Sequence, residues 1–182
     1  MNLKKLSDEE IVKIVREQDK NLYSEIIKRY ELKLSHYLQK FTKNHDELED
    51  ILQVVFLKAY KNLYGFDIDK KFSSWIYRIA HNEALNQIKR NKNIINLELV
   101  EYKILDEKAG IFSKLEKDFI KKNINDALLK LSSKYRDPLI LFYLEGNSYE
   151  EISDILRMNR NTVGILMMRG KKKLKEYLNG KI

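Results

Sequence analysis

The chain has 182 residues, and its 35 lysines and arginines outweigh 27 aspartates and glutamates to give a formal net charge of +8. This length suits one ordinary domain or two small ones, and the basic excess favours a polyanionic partner. The lack of cysteine excludes disulfides and thiolate metal sites, and no stretch approaches the roughly 20 apolar residues of a membrane span. We therefore expect a cytoplasmic protein that is not inserted directly into a membrane.

One proline, six glycines and scarce strand signals predict an all-α protein. Apolar residues at helical spacing predict four helices in the first half, the first starting near residue 7 and the others covering roughly 21–43, 46–64 and 73–91. Ser7 and Glu10 have the spacing of a capping box. Gly65 is expected to end the third helix, and Ser73 or Ser74 to cap the fourth.

The third and fourth helices each show a sided pattern. The predicted buried stripe of the third helix consists of Leu48, Ile51, Leu52, Val55, Phe56 and Ala59. The apolar face of the fourth consists of Trp75, Ile76, Ile79, Ala80, Ala84 and Ile88. The rest of the fourth helix is assigned to Tyr77, Arg78, His81, Asn82, Gln87, Lys89 and Arg90. Both helices are thus predicted to pack on one face only.

Helical periodicity is lost after residue 92. We interpret 93–112 as a flexible linker that joins two small helical domains, residues 1–92 and residues 113–182. The C-terminal domain is predicted to contain a helix-turn-helix.

The stretch 146–175 has the pattern of a helix-turn-helix, in which the second helix enters the major groove of DNA. Ser148 and Glu151 form a second capping box, Arg157 begins the turn, and Asn159 suits the N-cap of the second helix. Its buried face is predicted to consist of Val163, Met167, Gly170 and Leu174. The outward residues would be Arg160, Asn161 and Gly164, with Ile165 and Met168 partly exposed.

The second helix of this motif continues into a basic tail. Eight basic residues and a single acid, Glu176, lie between Arg157 and Ile182. Arg169 and the lysines 171–173 would bind phosphates in a salt-dependent way. The alternative is a solvated helix with cations favoured near its C-terminus. The joint presence of capping box, turn and basic helix favours DNA binding.

Three motifs carry a family resemblance. The segments Tyr149–Ile152, Asn161–Val163 and Arg169–Lys172 resemble the promoter-reading C-terminal domain of bacterial sigma factors. Residues 46–60 resemble the polymerase-binding helix of that family, and residues 72–82 resemble its promoter-melting segment. With only a linker between the two halves, the chain resembles the extracytoplasmic-function (ECF) subgroup of the sigma-70 family.

The resemblance implies a sigma factor that binds core RNA polymerase and directs promoter binding, melting and initiation. Domain 1–92 would correspond to sigma region 2, and domain 113–182 to sigma region 4. The partners implied are core RNA polymerase, promoter DNA and an inhibitory anti-sigma factor. Because the polymerase performs the chemistry, the resemblance implies no catalytic residue, cofactor or metal.

The resemblance also implies three sets of site residues. Polymerase binding falls on Leu48, Asp50, Gln53, Phe56 and Leu57. Recognition of the minus-ten element falls on Trp75, Tyr77, Arg78, Asn82, Asn86, Lys89 and Arg90. Recognition of the minus-thirty-five element falls on Arg160, Asn161, Thr162, Gly164, Ile165, Met168, Arg169, Lys171, Lys172 and Lys173. For every apolar residue in these sets the alternative is core packing, which is favoured for Trp75. Asp50 and Gln53 are the best candidates for polymerase contact, because exposed polar side chains can anchor a partner.

The chain departs from the family pattern at two places. Arg157 stands where the family usually has glycine, so either this residue adopts a positive φ at a cost on the order of 1 kcal/mol or the turn differs slightly from the family's. Gly164-Ile165-Leu166 stands where the family commonly has basic residues and serine. Ile165 or Met168 could instead contact thymine methyl groups.

Two other classes of function fit less well. A conventional helix-turn-helix regulator with a sensory or dimerisation domain would not need the aromatic, amide and basic side chains found over residues 66–90. An enzyme is disfavoured because the sequence has no phosphate-binding loop, and His36, His45 and His81 lack the spacing of metal ligands.

Overall fold

The computed structural model describes residues 3–42, 44–92, 123, 124, 126–128 and 130–180. Every regular element in these ranges is a helix, which confirms the predicted all-α class. The chain divides into two compact units, Met1–Asn96 and Leu97–Ile182. The predicted linker over 93–112 lies outside the described residues, so the domain limits stay a prediction.

The described residues of the N-terminal unit form four α-helices. They are α1 (Asp8–Glu17), α2 (Tyr23–Leu38), α3 (His45–Lys61) and α4 (Phe72–Lys92). The predicted capping box at the start of α1 is confirmed, because the Ser7 hydroxyl accepts from the Glu10 N–H at 3.1 Å and the Glu10 carboxylate accepts from the Ser7 N–H at 2.7 Å. Helix α3 packs against both α2 and α4. This arrangement places the two helices of interest, α3 and α4, side by side.

Several helix ends differ from the sequence prediction, including that of α3, which ends at Lys61 and not at Gly65. Helix α2 ends at Leu38 rather than residue 43, and α4 begins at Phe72. Neither Ser73 nor Ser74 is therefore the N-cap. Instead, the Phe72 N–H donates to the carboxylate of Glu9 on α1 at 2.8 Å.

The buried face of α4 also differs from prediction. Tyr77 and His81 are each 6% exposed, so their assignment to the outward face is wrong. The Tyr37 hydroxyl and His81 Nδ1 share a hydrogen bond of 2.9 Å, and the rings of Tyr37 and Tyr77 lie 5.2 Å apart. Burial of both residues is tolerated because their rings pack against Tyr37 and because the His81 Nδ1 has a hydrogen-bond partner.

Arg16 on α1 fixes the segment that leads into α4. Its Nε donates to the carbonyl of Leu63 at 2.9 Å, and its Nη2 donates to the carbonyl of Phe66. The hydroxyl of Tyr64 donates back to the Arg16 carbonyl at 2.8 Å. The start of the loop before α4 is thus held by one guanidinium.

The C-terminal unit contains the predicted helix-turn-helix. Residues 123, 124, 126–128 and 130 are helical, and the complete helices that follow are α5 (Ser133–Tyr143), α6 (Tyr149–Leu156) and α7 (Arg160–Leu178). Its core includes Leu139, Ile140, Leu141, Ile152, Ile155, Val163 and Met167. The second capping box is confirmed by a Glu151 N–H bond to the Ser148 hydroxyl (3.2 Å) and a Ser148 N–H bond to the Glu151 carboxylate (2.7 Å).

The turn of the motif is strained at Arg157. It ends α6 in the left-handed conformation, with φ 52° and ψ 48°, and is the one non-glycine residue of positive φ in the described part of the chain. We expect Arg157→Gly to raise the free energy of unfolding by about 1 kcal/mol, because glycine has no Cβ to clash in this conformation. Denaturant unfolding of the full chain measures this change. Arg157→Ala, which keeps the Cβ, should show no such gain, and equal stability of the glycine variant and the parent would contradict the strain.

Candidate nucleic-acid interface

Helix α7 presents one outward stripe opposite its buried face. Its members, spaced four, three and four residues apart, are Asn161, Ile165, Met168 and Lys172. Ile165 is 47% exposed and Met168 is 64% exposed, which confirms their predicted partial exposure. We call this set the α7 stripe.

Two predicted reading residues near the start of α7 are engaged within the protein. Thr162 donates its hydroxyl to the Asn159 side chain at 2.8 Å, and its N–H donates to the same oxygen at 2.8 Å. Thr162 thus completes the N-cap. The Arg160 guanidinium forms an ion pair with Glu150 on α6. Hydrogen bonds from the backbone and from Arg160 lower the pKa of Glu150, which favours the ionised carboxylate.

Cations flank the α7 stripe on both sides. Lys171 lies over the ring of Tyr143 with 5.4 Å from Nζ to the centroid, and Lys173 lies over Tyr135 at 5.8 Å. A hydrogen bond with Tyr143 raises the pKa of Lys171, which keeps this side chain charged. Arg169 and Lys172 are exposed. The aromatic rings of α5 hold two of the cations in place, and all four can reach phosphates.

Helix α4 carries a second outward stripe that combines amides and cations. Its members, spaced three, four, four and three residues apart, are Trp75, Arg78, Asn82, Asn86 and Lys89. Asn82, Asn86, Lys89 and the neighbouring Arg90 are exposed, whereas Trp75 and Arg78 are half-buried. We call this set the α4 stripe. Tyr77 lies on the opposite face, where it belongs to the core.

An aromatic cluster stands at the N-terminal end of the α4 stripe. The Trp75 ring lies 5.2 Å from that of Phe66 and 5.5 Å from that of Phe72, and Phe66 and Phe72 pack edge to face at 5.3 Å. The exposed loop 67–71 joins the two phenylalanines. Trp75 thus combines core packing on one side with partial exposure next to the loop.

The predicted polymerase-binding residues separate into two groups. Leu48 and Phe56 are 5% and 9% exposed and belong to the core. Asp50, Gln53 and Leu57 share the outward face of α3, and Leu57 is 52% exposed. The structure therefore brings together three of the five residues on one accessible surface.

An open groove between α2 and α3 adjoins this surface. Its apolar lining includes Tyr23, Ile27, Leu52, Phe56, Leu57 and Tyr60. The Tyr23 hydroxyl donates to the Phe56 carbonyl at 2.7 Å, and burial raises its pKa well above the ordinary value. Charged groups at the rim include Lys20, Glu31 and Glu49. Such a groove suits a helix or extended segment of a protein partner.

Sequence reasoning missed several members of these surfaces. The α2–α3 groove could not be predicted because its walls come from two helices. The spacing of Leu52 and Tyr60 indicates a helix but does not indicate a groove. Lys58 on α3 pairs with Glu83 on α4 at 2.6 Å, and Asn86 donates to the same carboxylate at 3.5 Å. Such pairs require knowledge of which helices are neighbours.

Within the described ranges, no helix is long and apolar enough to cross a membrane. The same residues contain no cluster of three or more side chains suited to hold a metal ion.

These helices and surfaces define a DNA-binding protein of the helix-turn-helix class, and the comparison with known families identifies it further. Residues 26–94 match the sigma-70 region 2 family model, and residues 121–174 match that of sigma-70 region 4. The ECF RNA polymerase sigma factor SigW of Bacillus subtilis is 31% identical over 181 residues, covering 92% of this chain and 94% of SigW. The ECF sigma-E factor of Haemophilus influenzae is 26% identical, covering 95% of this chain and 96% of its own.

Solved structures share the fold. CnrH, determined in complex with the cytosolic domain of CnrY, has a TM-score of 0.71 at 18% identity and covers 96% of this chain and 99% of its own. RpoE of Bartonella quintana, determined in complex with the anti-sigma factor NepR, has a TM-score of 0.65 at 22% identity. The match covers 86% of this chain and 96% of the RpoE chain. The chain belongs to the ECF group of the sigma-70 family, and it is an RNA polymerase sigma factor that directs promoter-specific transcription initiation.

Proposed function

We propose that three surfaces of this sigma factor divide the work of initiation. The outward face of α3 with Asp50, Gln53 and Leu57 binds core RNA polymerase. The α4 stripe, with Arg90, binds the minus-ten element and holds it open. The α7 stripe and its flanking cations bind the minus-thirty-five element. Residues 1–92 and 113–182 act as the two DNA-contacting domains, and the segment 93–112 connects them as a linker.

The α4 stripe is the observation that carries the minus-ten assignment. Holding a single DNA strand requires cations for its backbone, amides for an exposed base edge and an aromatic group against which a base can stack. Arg78, Lys89 and Arg90 supply the cations, and Asn82 and Asn86 supply the amides. These groups share one face of one helix.

Trp75 and the loop 67–71 supply the aromatic end of this surface. Trp75 packs against Phe66 and Phe72, the two residues that bracket the exposed loop, and is only half-buried. A flipped base is therefore proposed to lie between the loop and Trp75. Tyr77 contributes by packing in the core below α4, because its ring is 6% exposed.

The groove between α2 and α3 supports the polymerase assignment. Gln53 and Leu57 belong both to the groove lining and to the outward face of α3. Leu57 is exposed beside the aromatic residues of the groove and offers apolar area to a partner, and the Gln53 amide offers directed hydrogen bonds. One partner helix could engage both groups.

We also propose that an anti-sigma factor holds this protein inactive in the cytoplasm, where the polymerase operates. Support comes from the solved structure of RpoE with the anti-sigma factor NepR and that of CnrH with CnrY. A partner that covers the α2–α3 groove and Leu57 would block polymerase docking. The identity of that partner follows from purification of the complex that forms in the native cell.

In vitro transcription tests the proposed division of work. Core polymerase and the full chain are incubated with genomic DNA, and the 5′ ends of the transcripts are mapped. Defined start sites should appear only when both proteins are present. Asn82→Ala combined with Asn86→Ala should retain core binding but lose permanganate-reactive thymines in the opened region. Start sites that require polymerase already loaded with another sigma factor would contradict the proposal.

The ion pair at the edge of the α7 stripe makes a separate prediction. Glu150→Gln should tighten binding to promoter duplex several-fold at low salt, because it removes a charge that repels phosphates and releases Arg160. The slope of log affinity against log salt should become steeper by up to about one. Holoenzyme binding measured by fluorescence anisotropy at several salt concentrations checks both effects.

Asp154→Asn is the matched control for this variant. Asp154 is exposed on the same helix, four residues further on, so its substitution makes the same change in net charge. The control should change the salt slope less than Glu150→Gln does. Equal effects of the two variants would show that total charge, and not the release of Arg160, is responsible.

A further inference from the structure

The centre of the α7 stripe lacks polar groups. Ile165 and Met168 are 47% and 64% exposed between Asn161 and Lys172. Gly164 beside them has no side chain and lies against the Tyr149 ring, with 3.9 Å from a Cβ built on it to Cε2. Two of the three polar residues that begin the helix, Arg160 and Thr162, are engaged in the ion pair and the N-cap. The middle of this helix can therefore offer DNA mainly methyl and methylene groups.

Only one group in the major groove is complementary to such a surface. Each base pair shows hydrogen-bond donors and acceptors there, and thymine alone adds an apolar C5-methyl group. Three helical residues span about 4.5 Å, which compares with about 3.4 Å between base pairs. Ile165 and Met168 thus have the separation needed to contact thymines at neighbouring positions.

The charges around the stripe favour DNA over a protein as the occupant. Arg169, Lys171, Lys172 and Lys173 surround the two apolar side chains, and Glu176 is the only acid from Arg157 to the C-terminus. Cations that flank an apolar strip match the geometry of a groove floor between two phosphate backbones.

We propose that Ile165 and Met168 read the upstream promoter element through thymine methyl groups. Asn161, one turn before Ile165 on the same stripe, would pair its amide with an adjacent adenine. This inference rests on the proposed function of the α7 stripe, and it adds the chemical feature that is recognised. It predicts an upstream element in which neighbouring thymines contribute through their methyl groups.

Replacement of thymine by deoxyuridine isolates this contribution, because it removes the methyl group and leaves the base pairing unchanged. Holoenzyme made from core polymerase and the full chain first selects promoters from DNA randomised only in the upstream element. Each thymine of the selected element is then replaced singly. Binding should weaken about fourfold at each of one or two positions, which corresponds to roughly 0.8 kcal/mol for one buried methyl group.

Three variants assign the effect to residues. Ile165→Ala and Met168→Ala should each abolish the difference between thymine and deoxyuridine at one position, and the two positions should differ. Leu178→Ala is the control, because Leu178 is 45% exposed on α7 but lies outside the stripe. It should retain both differences.

Several results would overturn the inference. The first is promoter-specific initiation in which the selected upstream elements show no preference for thymine. The second is equal binding of the holoenzyme to DNA with thymine and to DNA with deoxyuridine at every position. Another is a loss of initiation in the Ile165 and Met168 variants that is the same on both DNAs, which would point to a protein surface. Failure to obtain any promoter-specific complex would instead overturn the proposed function itself.

Discussion

Leu57→Arg should weaken binding to core RNA polymerase by at least about 30-fold, the effect of losing a 2 kcal/mol interface residue. Leu57 is 52% exposed on α3 and lines the α2–α3 groove, so an arginine can point to solvent in the free protein. In the complex, the same cation would be desolvated against an apolar partner surface without a counter-charge. Titration of the labelled full chain with core polymerase measures the loss.

Leu32→Arg is the matched control for this prediction. Leu32 on α2 is 66% exposed and is not among the residues that line the groove. It therefore introduces the same charge at a similarly accessible leucine of the same unit. Both variants should unfold at the temperature of the parent. A similar loss in both, or in neither, would show that the groove is not the docking surface.

Local signals predicted much of the fold. The two capping boxes and the Asn159 N-cap depend on residues within a few positions of each other, and all three are present. Helical spacing also predicted the buried face of α7 correctly for Val163, Met167 and Gly170, whereas Leu174 is only half-buried. These features succeed because backbone groups at helix ends must be satisfied locally.

Contacts between distant residues could not be predicted in this way. The carboxylate that caps α4 belongs to Glu9, 63 residues away, and no local pattern points to it. Periodicity places Tyr77 and His81 away from the predicted apolar face of α4, yet both rings are buried in the core. The hydrogen bond between Tyr37 and His81 removes the cost of that burial, and it can be recognised only after α2 and α4 are placed together.

The site was predictable to a similar extent. One helix generates each of the α4 and α7 stripes, so their shared faces follow from spacing alone. The α2–α3 groove and the pairing of Arg160 with Glu150 arise between helices, so they needed the structure. The pairing bears on the proposed function, because it engages the Arg160 guanidinium beside the α7 stripe, whose exposed centre is apolar.

Gly170→Val should destabilise the C-terminal unit by about 3 kcal/mol, at the upper end of the usual cost of overpacking a core. Gly170 is buried where α7 meets α5. A Cβ built there lies 3.1 Å from Leu139 Cδ1 and 3.2 Å from the Tyr135 carbonyl oxygen. The leucine side chain can move, but the carbonyl belongs to the backbone of α5. Valine must therefore push α7 away from the helix that supports it.

The consequence for function is a loss of promoter-specific initiation while binding to core polymerase through α3 is largely retained. Gly164→Ala on the same helix is the control for stability alone, since Gly164 belongs to the predicted minus-thirty-five set; its Cβ would meet only the Tyr149 ring at 3.9 Å. That variant should gain about 1 kcal/mol from helix propensity. Thermal unfolding and in vitro transcription measure the pair. If Gly170→Val were as stable as Gly164→Ala and as active as the parent, the packing of α7 on α5 could not be what orients the α7 stripe toward DNA.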